Sequence, residues 1–339
     1  MPPVSVLQVA LPVPLPRLFD YLPPPGLVAS PGDVGKRVKV MFGNRSLTGL
    51  VAQVGPPADP TLELRPADAL LDDAPLLRGE LLDSLHWLAR YTHAPLGEVV
   101  ATALPTALRQ GDPLPDTHAW HWRLTEAGQL QRDRLRTGSR PRRLADLLAE
   151  HSSLDEDVLD LHLDSGRATA RDLGKRGLAE RYPAAAAQMA PAPRPGPALN
   201  EEQQAAAEAI VGTTGFGALL LDGVTGSGKT EVYLHAIADC LRRGRQALVL
   251  VPEIGLTPQT LSRFRERLGV PVHALHSGLN DGERARTWAA CLRGEARVIV
   301  GTRSAVFTPL PEAGLIVIDE EHDGSYKQQD GIRYHARDF

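Results

Sequence analysis

Residues 223–230 read GVTGSGKT, a complete GxxxxGK[ST] phosphate-binding loop set between the apolar run Ala218 to Leu221 and a helical stretch from Glu231 to Leu241. A strand, a glycine-rich turn and a helix in that order gather backbone N–H groups and a helix N-terminus around a triphosphate. In this pattern Gly223, Gly226, Ser227 and Gly228 line the cradle, Lys229 reaches the β and γ oxygens, and Thr230 holds Mg²⁺. Of 37 Lys and Arg residues only five are lysine. One of the five stands where a compact point charge suits phosphate better than a planar guanidinium.

About ninety residues on, LIVI at 315–318 is a short apolar run that runs into DEEH at 319–322. The run predicts a strand buried on both faces of a parallel sheet. Carboxylates at the C-terminal end of such a strand lie where open α/β sheets bind ligands. Asp319 is expected to hold Mg²⁺ through water and Glu320 to orient or activate an attacking water, so that with Lys229 they form the catalytic set. Between the two motifs, strands are expected at 218–222, 247–251, 272–276, 297–300 and 315–318. Helices are expected from 229, at 258–268 and at 281–292. That alternation predicts a parallel sheet wound by right-handed crossovers, one RecA-like lobe.

The rest of the chain is organised differently. Residues 1–112 read as a β-rich module, with strand-like runs at 4–13, 35–40 and 47–54 and helical spacing at 76–91. Residues 118–183 read as short amphipathic helices, one of them through Val158, that close on KRGLAERY at 175–182, a helix running into a wing. A winged-helix domain is the expectation there. The Pro/Ala-rich stretch 184–197 is expected to be a linker, and the lobe to occupy 198–339.

The formal net charge of −4 does not advertise a nucleic-acid partner. Local charge does more. Arg132, Arg134, Arg136, Arg140, Arg142 and Arg143 stand together against Asp133 alone, which reads by default as a solvated face and alternatively as a phosphate-contacting patch. Cys240 and Cys291 are isolated, which argues for a reducing compartment and against a zinc site in this chain. The proline-studded N-terminus is no signal peptide, and no run is long enough to cross a membrane.

Beyond the phosphate loop, VPEIGLTPQ at 251–259, HS at 276–277, GTRSA at 301–305 and DEEHDGSYKQQ at 319–329 resemble the first helicase lobe of the PriA family of replication restart helicases. LPVPLPRLFDY at 11–21, GKRVKVMFG at 35–43 and HAPLGEV at 93–99 resemble that family's DNA 3′-end-binding domain. Nearly the whole chain is covered, and the long acidic motif is the most specific part.

The resemblance implies an ATP- and Mg²⁺-dependent 3′ to 5′ DNA helicase that restarts stalled forks in the bacterial cytoplasm, at the nucleoid. It implies that Gln203 reads the adenine edge, and that Thr302, Arg303 and Ser304 grip the strand backbone. Tyr326, Lys327, Tyr334, His335 and Arg337 would fall in an aromatic-rich loop that couples strand contact to hydrolysis. Phe19, Asp20, Gly43 and Arg65 would form the pocket for a nascent 3′ terminus. Met41 stands where the family has Pro, so the strand entering that pocket is expected to sit differently. The implied partners are DNA, as forks, single strands and 3′ ends, with single-strand-binding protein and restart or helicase-loading proteins beside it, and no membrane.

The chain ends at Phe339, so the second lobe, the zinc region and the C-terminal domain of that family are expected to lie outside it. Hydrolysis by this chain alone is therefore expected to be near background. A module that binds nucleotide and branched DNA without turnover is the alternative to a helicase, and restriction translocases, which share only the lobe motifs, are a distant third. ATPase activity stimulated by single-stranded DNA separates the first two.

Overall fold

The computed structural model describes residues 5–117, 120–156, 159–183, 194–224 and 226–339. Most of the expected linker, Val158 and Thr225 lie outside them. The chain forms two compact units, residues 1–116 with 191–339 and residues 117–190.

The first unit begins with a five-stranded antiparallel sheet in the order β2-β1-β4-β3-β5, made of β1 (Val6–Ala10), β2 (Phe19–Tyr21), β3 (Arg37–Phe42), β4 (Arg45–Gly55) and β5 (Ala69–Leu70). Leu7, Val9, Val38, Val40 and Val51 supply its core face, and the polar residues between them turn outward as a period of two requires. Helices α1 (Gly79–Thr92), α2 (Leu96–Ala103) and α3 (Thr106–Arg109) follow. Gly97 lets α2 lie directly on β1's continuation, because a Cβ there would fall 1.7 Å from the Leu11 carbonyl oxygen. Arg37 is fully buried on β3. Its guanidinium donates to Asp72 at 2.7 Å and to the carbonyls of Leu108 and Asp112, each at 2.7 Å, tying the sheet to the end of α3. A buried charge is tolerated here because every donor direction that matters is met.

The same unit holds a four-stranded parallel sheet in the order β10-β11-β9-β12, formed by β9 (Gln246–Leu250), β10 (Val272–Leu275), β11 (Val298–Gly301) and β12 (Ala313–Ile318). It is wound by α8 (Glu201–Gly212), α9 (Lys229–Arg242), α10 (Pro258–Leu268) and α11 (Asp281–Leu292). Asn200 and Asn280 cap α8 and α11 through full capping boxes with Gln203 and Glu283. β9 lies between two neighbours and is buried throughout, as its VIL-rich sequence predicts.

Two expectations fail in this sheet. β12 is not buried on both faces; it is an edge strand, paired only with β9, and Ile316 is 54 % exposed. Residues 218–222 form no strand, and Leu220 is 80 % exposed. The two departures have one cause. An apolar run becomes a strand buried on both faces only when ladder partners exist on both sides, and here β12 keeps one edge unpaired while 218–222 joins no ladder.

The second unit has a three-stranded antiparallel sheet, β7-β6-β8, of β6 (Trp120–Leu124), β7 (Leu154–Asp155) and β8 (Ala179–Pro183). Helices α4 (Glu126–Gln131), α5 (Arg140–Glu150), α6 (Leu159–His162) and α7 (Gly166–Lys175) accompany it. Trp122, Leu144, Leu148, Ala170 and Leu173 form its core. No helix among the described residues is long and apolar enough to cross a membrane.

Candidate nucleotide site and nucleic-acid interface

Gly226 and Gly228 take the left-handed conformation, at φ 85° and 84°, so the turn before α9 is one that glycine adopts freely. Lys229 opens α9, with Thr230 next to it. The Lys229 ammonium donates to the Gly223 carbonyl at 2.8 Å and stands 3.7 Å from Glu320 Oε1. A phosphate entering the turn would meet that ammonium and displace the Glu320 carboxylate from it. Gln203 lies against the turn and donates to the Ser227 carbonyl at 2.8 Å, while its amide oxygen completes the α8 cap.

Asp319 and Glu320 follow the end of β12, and the Asp319 N–H continues the ladder to the Leu250 carbonyl at 2.9 Å. Glu320 is held at φ 47°, a left-handed conformation that costs a non-glycine residue energy and is concentrated at functional sites. The structure thus brings Gly223, Ser227, Gly228, Lys229, Glu320 and Gln203 together, with Asp319 beside them. The donor set suits Mg-nucleotide: one ammonium, a hydroxyl at Thr230 and two carboxylates.

Two side chains that sequence reasoning passed over brace the elements around this centre. The Tyr233 hydroxyl donates to Asp319 Oδ1 at 2.7 Å. Burial first, and then that carboxylate, push its phenol far above the ordinary value, so it stays a donor. Its position four residues after Lys229 on α9 was the available signal, since such residues share a helix face. Glu231, also on α9 and buried, accepts from Arg263 at 2.7 Å and from Arg267, both on α10. Burial alone would raise its carboxyl, but those two guanidinia outweigh it and hold the carboxyl below its usual range.

The expected strand-binding residues divide. Ser304, Lys327 and Arg337 are exposed, whereas Thr302 is buried. Arg303 donates to the carbonyls of Ser325 and Lys327, at 2.9 and 3.1 Å, so its charge pins the 323–337 loop. Arg337 is paired with Glu321 at 2.7 Å. Tyr326 is 0 % exposed and donates to the Asp319 carbonyl at 2.6 Å; Tyr334 is buried edge-on against Phe307, and burial pushes its phenol up to about 12 against the pull of Arg303. Neither ring is free to stack on a base in this arrangement. Their apolar surfaces are consumed by the core under the loop.

On the antiparallel sheet, Phe19 and Asp20 lie on β2, and Phe19 meets Phe42 edge-on at 5.1 Å, next to Gly43. Arg17 stacks on Phe19, and the Arg65 carbonyl accepts from the Leu22 N–H at 3.0 Å. Phe19, the Phe42–Gly43 corner and the Arg65 backbone thus come close to β2, whereas Asp20, next to Phe19 on the same strand and opposite Gln8, faces the other side of the sheet. Asp20 Oδ2 accepts from the Ala58 N–H at 2.6 Å. Gly43 sits at φ 59° with open space around it, so the turn conformation, rather than clearance, requires glycine. Met41 pairs with Ser46 in the β3–β4 ladder, and its carbonyl accepts from the Tyr21 hydroxyl at 3.0 Å.

Two family matches fall on these two sheets. A PriA 3′ DNA-binding domain matches residues 8–105, and a DEAD/DEAH box helicase domain matches residues 200–339. The replication restart protein PriA of Haemophilus influenzae is 40 % identical over 99 % of the chain and 47 % of its own length. That of Synechocystis is 34 % identical over 94 % of the chain and 48 % of its own length. The chain belongs to the PriA replication restart family. Its sequence spans about half the length of these curated PriA relatives. The PriA protein of Bacillus subtilis is 50 % identical over 41 % of the chain. The helicase match brings nucleotide and metal use in general to the parallel-sheet lobe, and the 3′-domain match brings DNA to the antiparallel one.

Proposed function

We propose that the chain is the fork-recognising and ATP-binding part of a replication restart protein whose whole is an ATP-dependent 3′ to 5′ DNA helicase. The observation that carries this reading is the meeting of Lys229 with the Gly223 carbonyl and Glu320, in one unit with the sheet that bears Phe19 and Asp20. Residues 198–339 act as a RecA-like lobe, residues 1–112 as a 3′-end-binding domain, and residues 118–183 as a winged helix, in which α7 runs into β8 and β8 pairs with β6. Residues 184–197 link the winged helix to the lobe.

In the nucleotide site Lys229 and the turn's N–H groups hold the β and γ phosphates, and Thr230 and Asp319 hold Mg²⁺. ATP supplies the transferable phosphoryl group. Glu320, once released from Lys229, accepts a proton from water aligned for attack, and Gln203 contacts the adenine edge. Ser304 and Lys327 contact backbone phosphates of a single strand, with Thr302, Arg303, Tyr326, Tyr334 and Arg337 shaping the loop that presents them. The protein works at forks, single strands and 3′ ends in the bacterial cytoplasm, alongside single-strand-binding, restart and helicase-loading proteins, and the zinc of the family is held outside this chain.

Binding of a fluorescent ATP analogue tests the reading. Lys229→Ala is expected to abolish Mg-dependent binding while leaving affinity for fork DNA intact. Unchanged nucleotide binding in that variant would overturn the site.

A further inference from the structure

The polar atoms of Asp319 are nearly all engaged. Its N–H donates to the Leu250 carbonyl at 2.9 Å, its carbonyl accepts from Tyr326 Oη at 2.6 Å, and its Oδ1 accepts from Tyr233 Oη at 2.7 Å. Oδ2 is the one polar atom of the residue with no hydrogen-bond partner among the described residues. A terminal carboxylate torsion is broad and roughly two-fold, so backbone placement alone does not decide which oxygen faces the phosphate turn. The Tyr233 hydroxyl does decide it. Tyr233 is itself fixed, buried with Ile237, Cys240 and Val249 in the core between α9 and the parallel sheet.

We infer that Tyr233 is a positioning residue for Asp319: its hydroxyl sets the carboxylate rotamer and reserves Oδ2 for the Mg²⁺ that accompanies bound nucleotide. The inference rests on the nucleotide reading above and names a residue that acts through the metal-holding group without touching the nucleotide. Two features support it. Lys229 and Tyr233 lie one helical turn apart on α9, so the helix that offers the phosphate cation also fixes the metal's carboxylate. Losing the bond would leave both Asp319 oxygens free to turn toward the Lys229 ammonium, which already attracts Glu320 at 3.7 Å. Outer partners of metal-holding groups commonly matter about 10- to 100-fold in metal affinity when removed.

Tyr233→Phe tests this, because it keeps the ring in the core and removes only the hydroxyl. Binding of a fluorescent ATP analogue to the full chain would be followed in EDTA and across a Mg²⁺ titration, with thermal melting beside it. The expected result is an unchanged melting midpoint and unchanged metal-free affinity, with the Mg²⁺ concentration for half-maximal enhancement raised about 10-fold or more. An unchanged Mg²⁺ midpoint overturns the inference and leaves the nucleotide reading standing. Equal loss of metal-free binding also overturns it, since Tyr233 would then act on the fold of α9. If the parent chain shows no Mg-dependent binding, or Asp319→Asn retains it, the nucleotide reading itself fails and this inference goes with it.

Discussion

Glu231 shows how a single buried carboxylate steadies the phosphate-binding helix. Hydrogen bonds from Arg263 and Arg267 hold its carboxyl below the usual range although burial pushes the other way. A depressed folded-state value means that its stabilisation is fully present above the unfolded-state value and is lost as pH falls through the folded one. Glu231→Gln should therefore lower stability by about 1–2 kcal/mol at neutral pH, reduced from a fully buried pair because Arg263 is half exposed. The gap between parent and variant in urea midpoint should close in acid, below the ordinary carboxylate range. A gap that does not change with pH would show that packing rather than charge holds α9 to α10. At this scale the sequence singled out Lys229, Asp319 and Glu320, because phosphate and metal chemistry restricts which side chains suit such positions, and the structure places Lys229 3.7 Å from Glu320. Tyr233, Arg263 and Arg267 were not. They act through tertiary hydrogen bonds that no local spacing reports, and Tyr326 and Tyr334 misled for the mirror reason: a tyrosine in a loop reads as a stacking surface until its burial is known.

Elements were more readable where both faces obey one rule. α10 and α11 start and stop where their caps and periodicity predict, at Pro258–Leu268 and Asp281–Leu292. β12 and the run at 218–222 were misjudged because an apolar run says that a strand wants burial, and not whether neighbours exist to provide it. The arginine segment divides in the same manner. Arg140 pairs with Asp164 at 2.7 Å, Arg142 with Asp133 at 2.9 Å and Asp146 at 3.1 Å, and Arg132 with Asp146 at 3.6 Å. Paired guanidinia are spent on the second unit's own surface. Arg134, Arg136 and Arg143 are exposed, with no ion pair among the described residues, so they are the ones that fit phosphates. Replacing two of the three with Gln should flatten log K against log salt for duplex binding by roughly one per lost contact, alike for all sequences. Gln at Arg140 and Arg142 should leave the slope alone. Equal slopes in both double variants would return the whole segment to a solvated face.

For the molecule as a whole, the decisive question is whether it distinguishes the end of a nascent strand from any other single strand. Phe19 meets Phe42 beside Gly43 and the Arg65 backbone is tied to Leu22 after β2, while Asp20 faces the opposite side of β2 from Phe19. Asp20 commits Oδ2 to the Ala58 N–H and keeps Oδ1 without a hydrogen-bond partner among the described residues, so it can accept from a terminal 3′ hydroxyl. A 3′ phosphate would bring like charge to that oxygen and offer it no donor. The expected penalty is about 1–3 kcal/mol, the scale of a polar group left unpaired in a recognition site. Asp20→Asn removes the charge, keeps an acceptor for Ala58 and turns the second position into a donor, so it should lose the preference for hydroxyl ends by accepting phosphate ends better. Affinity for plain single strands should hardly change. Fork binding would be measured for hydroxyl and phosphate ends in matched salt series, with parent and variant side by side. Equal affinity of the parent for both ends would remove Asp20 from strand-end recognition. The antiparallel sheet would then contribute to fork binding only through sequence- and end-independent contacts.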